Sequence, residues 1–164
     1  MQSHHYTGAN FMLINLTSGF LIMALCLLLQ SILIGAAMRY YAGHHQEVNS
    51  PSLVEGLKVV NIVMLLLVIG NLGQIAVWAL AYQVLGEFAT FSEAFYHSAV
   101  NFSTLGYGDI VMSDEHKLLG PLESINGILM IGVSTAALMS AYQDVVRRTM
   151  RAQQAGNTEN AGPR

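Results

Sequence analysis

One run of residues carries a pattern with an evident chemistry: Ser103-Thr104-Leu105-Gly106-Tyr107-Gly108-Asp109. The chemistry belongs to the backbone more than to reactive side chains. Gly106 and Gly108 stand at alternate positions, and glycine reaches backbone angles closed to other residues. A chain that bends at these points turns successive carbonyls one way and becomes a ladder of oxygens. Such a ladder suits a desolvated cation. Reactive side chains are scarce elsewhere. Asp109 and His97 imitate a dyad, but no nucleophile has a base beside it, so neither an enzyme nor a cofactor is expected. Cys26 is the sole cysteine and lies in an apolar run, which excludes a disulfide framework and a four-thiolate metal site. His44, His45 and Glu47 offer three metal-type donors with no fourth, and read as a wetted loop. His4 and His5 carry no further signal.

The elements that must hold this run follow from where the charges are. The 164 residues are 53% hydrophobic and 10% charged, with a net charge of -3. A soluble domain carries about 25% charge. So few charges cannot cover a soluble globule, and no basic patch marks a nucleic-acid binder. From Gln2 to Met38 there is no Lys, Arg, Asp or Glu, and the apolar part runs from Phe11 to Met38. A bilayer core needs roughly 20 helical residues. A cleaved signal peptide fits poorly, because the basic leading region is missing. A second run extends from Val59 to Gly86 and a third from Ser124 to Gln143. Three crossings are therefore expected. Arg39, Lys58, Arg147, Arg148 and Arg151 flank their ends, with only Lys117 between spans two and three. That bias puts the N-terminus outside and the C-terminus in the cytoplasm.

The segment Glu87 to Glu123 is too broken to span. Glu87, Glu93, Asp109, Asp114, Glu115 and Glu123 face Lys117 alone, and a mouth of that charge would attract cations. Thr90 followed by Glu93 fits a capping box and predicts a helix over 91–102. Its length is roughly 18 Å, about half a bilayer. The helix must stop before Gly106. Non-helical backbone at membrane depth is tolerated only when buried in protein or lining a watery cavity. The carbonyls of Ser103 to Asp109 then need partners, and the carbonyl end of the short helix also favours a cation.

Thr104-Leu105-Gly106-Tyr107-Gly108-Asp109 resembles the selectivity filter of the two-helix pore-domain potassium channel family. Phe91-Ser92-Glu93-Ala94-Phe95-Tyr96-His97-Ser98 looks like the pore helix before that filter, the second span like the outer helix and the third like the inner helix. The resemblance implies an all-α membrane protein with a tetrameric pore-loop channel fold and an extra N-terminal span, in a bacterial inner membrane. Its parts would be an external N-terminus (1–10), the extra helix (11–38), a cytoplasmic turn (39–58), a pore domain (59–148) and a cytoplasmic tail (149–164). Within the pore domain fall the outer helix (59–84), pore helix (91–102), filter (103–109) and inner helix (123–146). Four copies would make carbonyl rings that replace the hydration shell of potassium. Carbonyls of Thr104, Leu105, Gly106 and Tyr107 would line the ion sites, with Gly108 completing the filter and the Thr104 hydroxyl closing its inner end. Tyr107 would point away from the axis and pack on the pore helix. The implied partners are a homotetramer, the lipid bilayer and potassium, with no nucleic acid.

Departures from the family pattern sharpen the expectations. Leu105 replaces the usual valine, and overpacking by one methylene costs roughly 1–3 kcal/mol in a soluble core. A weakly selective monovalent cation channel is therefore one alternative, and a non-conducting regulatory or scaffolding subunit another. Asn101 and Ser103 occupy positions where threonines are common, and both can still donate hydrogen bonds. Val100 stands where some members carry a glutamate that pairs with the aspartate behind the filter. Asp109 then needs another donor, with Tyr96 first and His97 second. A His97 charging near pH 6.5 beside Asp109 would make the filter proton-sensitive, but a neutral His97 donating to a neighbouring helix is the favoured reading. Val111 is not aromatic, so external quaternary-ammonium block is expected to be weak.

In the third span, Gly127 and Gly132 are hinge candidates, Asn126 and Ser134 or Ser140 candidates to face a cavity, and Met139 and Tyr142 candidates for an inner constriction. In the second, Asn71 and Gln74 share a face that should meet protein, and Trp78 and Tyr82 lie where interfacial belt residues do. The first span most simply wraps the pore from the lipid side. No span carries arginine at every third position, so no voltage sensor is expected, and no soluble regulatory domain is visible.

Overall fold

The structure, a computed structural model, describes residues 3–50 and 52–160. The side chains of His4, His5 and His45 lie outside the described residues, as do 161–164 of the tail. Among the described residues there are helices and no strand: α1 (Ser3–Gly43), α2 (His45–Val48), α3 (Leu53–Val84), α4 (Phe91–Phe102) and α5 (Leu119–Asn160). Three of them are long and apolar enough to cross a membrane, over Phe11–Gly43, Leu53–Val84 and Leu119–Ala155. Each long helix outruns the apolar stretch that marks it in the sequence. Charged residues such as Arg39, Lys58 and Arg148 end a hydropathy run, but Lys and Arg are good helix formers and do not end a helix.

The chain forms two compact units, and α1, α3 and α5 each contribute to both. The first comprises Met1–Gln30 and Gly70–Gly132. Its core gathers Cys26, Ile75, Trp78, Ala79, Tyr82, Phe88, Ala94, Phe102, Leu119 and Met130. Trp78 and Tyr82 are fully buried here. They are core residues and not the interfacial belt expected from their place near a span end, because the face they share with Ile75 and Ala79 turns inward. Gln74 and Gln30 meet in the same unit, with Gln74 Nε2 donating to Gln30 Oε1 at 2.7 Å. The polar face of the second span thus finds its partner on the first. At Gly19, an added Cβ would meet Leu122, so α1 approaches α5 closely. Asn15 Nδ2 donates to the Glu115 carbonyl.

The second unit comprises Ser31–Ile69 and Val133–Arg164. Val48, Val59, Val60, Ala141 and Val145 form one cluster and Ala37, Val63 and Leu67 another. Asp144 ties it together: Tyr41 Oη donates to Oδ2 at 2.9 Å and Arg148 Nε at 2.7 Å. Arg148 Nη1 also donates to Asn49 Oδ1 at 3.0 Å. The turn around α2 is consequently more than a wetted loop, since Val48 is 1% exposed. His44 Nδ1 bonds to the Tyr40 carbonyl at 2.8 Å.

Replacing Gln74 alone by Leu removes the donor to the buried Gln30 Oε1. That should destabilise the protein by about 1–3 kcal/mol. Replacing both glutamines by Leu should recover at least half of that loss, measured by unfolding of the purified protein in detergent.

Candidate functional site

α4 begins at an N-cap. Thr90 is extended (φ -120°, ψ 147°), and its hydroxyl accepts from the Glu93 N–H at 3.3 Å. The helix buries Ala94, His97, Ser98, Val100 and Phe102 on one side.

Its other end explains the unusual run that follows. α3 closes with Gly86 N–H donating to Gln83 O and Glu87 N–H to Tyr82 O, with Gly86 at φ +78°. This is the Schellman arrangement, in which a glycine takes the left-handed position. α4 closes in the same way, with Thr104 N–H to Asn101 O and Leu105 N–H to Val100 O, both at 2.9 Å. The left-handed residue is now Thr104, at φ 59°. A β-branched residue there is a genuine outlier. It costs on the order of 1–3 kcal/mol and persists only when the surroundings impose it. Glycine would serve the backbone better, so the reason for threonine lies in its side chain.

Gly106 (φ 62°) and Gly108 (φ 73°) continue the alternation, with no positive φ at Leu105 or Tyr107. Alternating right- and left-handed backbone turns successive N–H groups to one side. Because each peptide is trans, its carbonyl points opposite its N–H. The N–H groups of Thr104, Leu105 and Gly106 are all held by the end of α4. Among the described residues, the carbonyls of Thr104, Leu105, Gly106 and Tyr107 accept no hydrogen bond.

α5 holds this end of α4. A Cβ added at Gly127 would collide with the Phe102 carbonyl. Ser124 Oγ donates to Asn101 O at 2.9 Å. Gly127 therefore has a packing reason to be glycine, whereas nothing lies within 4 Å of a Cβ at Gly132. Ser103 Oγ turns back to donate to Ala99 O at 2.6 Å.

The segment after the run is tied to α4 by two side chains. Tyr96 Oη donates to Asp109 Oδ2 at 2.7 Å. That hydrogen bond holds the Asp109 carboxyl below its ordinary range. His97 Nδ1 bonds to the Ile110 carbonyl at 3.0 Å, and its Nε2 lies 2.8 Å from Asn101 Nδ2. A neutral ring satisfies both, donating from Nδ1 and accepting at Nε2. His97 is 7% exposed, between the rings of Tyr82 and Phe88. Burial lowers its pKa below the ordinary histidine value. It braces Ile110 rather than pairing with Asp109, and burial disfavours its charged form.

Two acids counted with the charged mouth are internal. The Glu87 side chain is 6% exposed. It accepts from Ser113 N–H at 2.8 Å, Ser113 Oγ at 2.6 Å and His116 Nδ1 at 2.6 Å. Glu123 is fully buried, accepting from Tyr82 Oη and Ser98 Oγ. Glu93, Asp109, Asp114 and Glu115 remain exposed. Counting charge along a sequence missed these networks, although Glu123 inside the first turns of an apolar helix was a signal for one. Asn126 and Ser134 are also buried, so they do not face an open cavity, while Ser140 is exposed. Asn126 lies beside Cys26 in the first unit's core.

The remaining candidates stay apart within one chain. Tyr107 is 66% exposed and Leu105 53% exposed within one chain. Met139 and Tyr142 lie exposed on α5.

Three apolar helices, a half-length helix, and a backbone run with open carbonyls define a pore-type membrane protein. The family model described as "Ion channel" matches residues 62–144, just over half of the chain. The chain belongs to this family of two-helix pore domains and is an integral membrane protein that forms a passive ion channel. No solved structure matches the chain.

Gly127→Ala should cost about 1–3 kcal/mol or more by overpacking against the Phe102 backbone. Gly132→Ala should cost less than half as much, both read as unfolding of the purified assembly. For Glu87, burial pushes the carboxyl up, but the Ser113 hydroxyl and N–H and His116 outweigh it and hold the carboxyl below its ordinary value. A carboxyl lowered by folding adds stability above its unfolded pKa, about 4.3, and that stability is lost as pH falls through the folded value. Glu87→Gln should therefore flatten the loss of stability on acidification below about pH 4.3.

Proposed function

We propose that four copies of this chain surround a common axis and conduct potassium selectively and passively, through rings of carbonyls from Thr104, Leu105, Gly106 and Tyr107. The observation that carries this reading is the alternation of φ at Thr104, Gly106 and Gly108. It comes with N–H groups tied to α4 and carbonyls that no group among the described residues occupies. Oxygens left open at membrane depth need a partner, and a dehydrated cation is one that several copies can share.

The reading also explains the cost paid at Thr104. Its hydroxyl adds an oxygen at the end of the ladder nearest α4, which glycine could not supply. Tyr107 and Leu105 become packed only when neighbouring copies cover them. α4 acts as the pore helix, α3 as the outer helix and α5 as the inner helix, with α1 packed on the outside. The N-terminus lies outside and the C-terminus in the cytoplasm of a bacterial inner membrane. Gly132 on the open face of α5 is the better hinge, and Met139 and Tyr142 form the inner constriction.

A second reading rests on Leu105. If the layer formed by neighbouring copies does not absorb its extra methylene, the rings loosen, and discrimination against sodium weakens. Purified protein in liposomes separates the two. The selective channel predicts flux driven by a potassium gradient, little driven by sodium, and a positive shift of reversal potential when external potassium replaces sodium. Equal flux of both ions would establish the weakly selective channel. Flux of neither, in protein shown to be assembled, would favour the non-conducting subunit.

A further inference from the structure

Glu123 lies on α5 inside the core of the first unit, with no surface exposed. From α3, Tyr82 Oη donates to its Oε2 at 2.5 Å. From α4, Ser98 Oγ lies 2.5 Å from its Oε1, and the Asn101 amide is beside it. From α1, Cys26 lies close enough to interact with it electrostatically, with its thiol beside Asn126 and Trp78. No ion pair among the described residues includes Glu123. Lys117 is the only Lys or Arg between positions 70 and 132, and it bonds to Asp114 at the surface.

The hydrogen count of this cluster decides its charge. Ser98 Oγ has one proton, but it stands within reach of two acceptors, the Ile75 carbonyl at 2.8 Å and Glu123 Oε1 at 2.5 Å. With Glu123 ionised, Tyr82 and Ser98 supply two protons for three oxygen–oxygen contacts. One contact is then left as two lone pairs facing each other. With Glu123 protonated, the count closes. The acid donates to Ser98, Ser98 donates to Ile75 O, and Tyr82 donates to the other carboxyl oxygen. An ionised carboxylate would also sit buried without a cation, which is strongly unfavourable.

We propose that Glu123 is held as a neutral carboxylic acid and acts as a positioning residue, pinning α4 to α3 and α5 behind the ion path. Three helices are joined at one side chain, next to the α4 end that carries Thr104. Because the acid is neutral, it fixes α4 without adding a charge to the field that the ions cross. The effect on ion flow rests on the channel reading above, while the protonation state does not.

The test is infrared difference spectroscopy of the assembled protein in lipid at neutral pH, wild type against Glu123→Gln. The expected result is a protonated-carboxylic-acid carbonyl band in the wild type that disappears in Glu123→Gln. Loss of a carboxylate band instead, with no acid band, would overturn the proposal whether or not the protein conducts. Glutamine keeps one donor and one acceptor, so Glu123→Gln should retain assembly and potassium flux within about twofold. Glu123→Ala removes the acceptor of Tyr82 Oη and the donor to Ser98 Oγ, which unpins α4, and flux should fall on the order of tenfold. A Gln variant as impaired as the Ala variant would mean that the negative charge is required, and would also overturn the proposal.

Discussion

A backbone that leaves the helix at membrane depth must find partners for every polar group, because hydrocarbon supplies none. The run from Ser103 to Asp109 meets half of that demand internally. Its first N–H groups fold back onto the last carbonyls of α4, as they do at the end of α3. At the end of α3 the left-handed position is Gly86, and the chain simply turns into a loop. At the end of α4 it is Thr104, and the alternation continues through two glycines. The N–H groups of Thr104, Leu105 and Gly106 are closed by the protein, and the carbonyls from Thr104 to Tyr107 are left for something else.

Much of the surrounding structure serves to hold that one helix end. Gly127 lets α5 approach until its backbone meets the Phe102 carbonyl, and Ser124 bonds to Asn101 O. Tyr96 and His97 hold the far side of the run through Asp109 and Ile110. Glu87 fixes the loop that follows through Ser113 and His116. Each contact limits how far the run can move relative to α4. A coordination site for a bare ion needs that rigidity, since small displacements of its oxygens change which ion fits.

The sequence displayed some of this and hid the rest for physical reasons. Thr90 and Glu93 make α4 legible because a capping box is a local signal. Gly106 and Gly108 make the backbone conformation legible because positive φ restricts residue choice. The partner of Gln74 was legible in kind, since a polar group in an apolar span must meet protein, and it meets Gln30. Glu87 and Glu123 were not legible, because charge counting treats an acid as a surface group unless a partner is known. Their partners Ser113, Ser98 and Tyr82 lie 26, 25 and 41 residues away. Trp78 and Tyr82 were misplaced for a related reason: depth along a span is readable from order, but the direction a face points depends on the neighbouring helix.

The most direct measurement is anomalous diffraction from thallium in crystals of the assembled protein. A conducting tetramer should show a four-fold axis, with ion peaks on it at the levels of the Thr104, Leu105, Gly106 and Tyr107 carbonyls. An assembly without that axis, or carbonyls turned away and bonded to protein with no ion between them, would contradict the proposed pore.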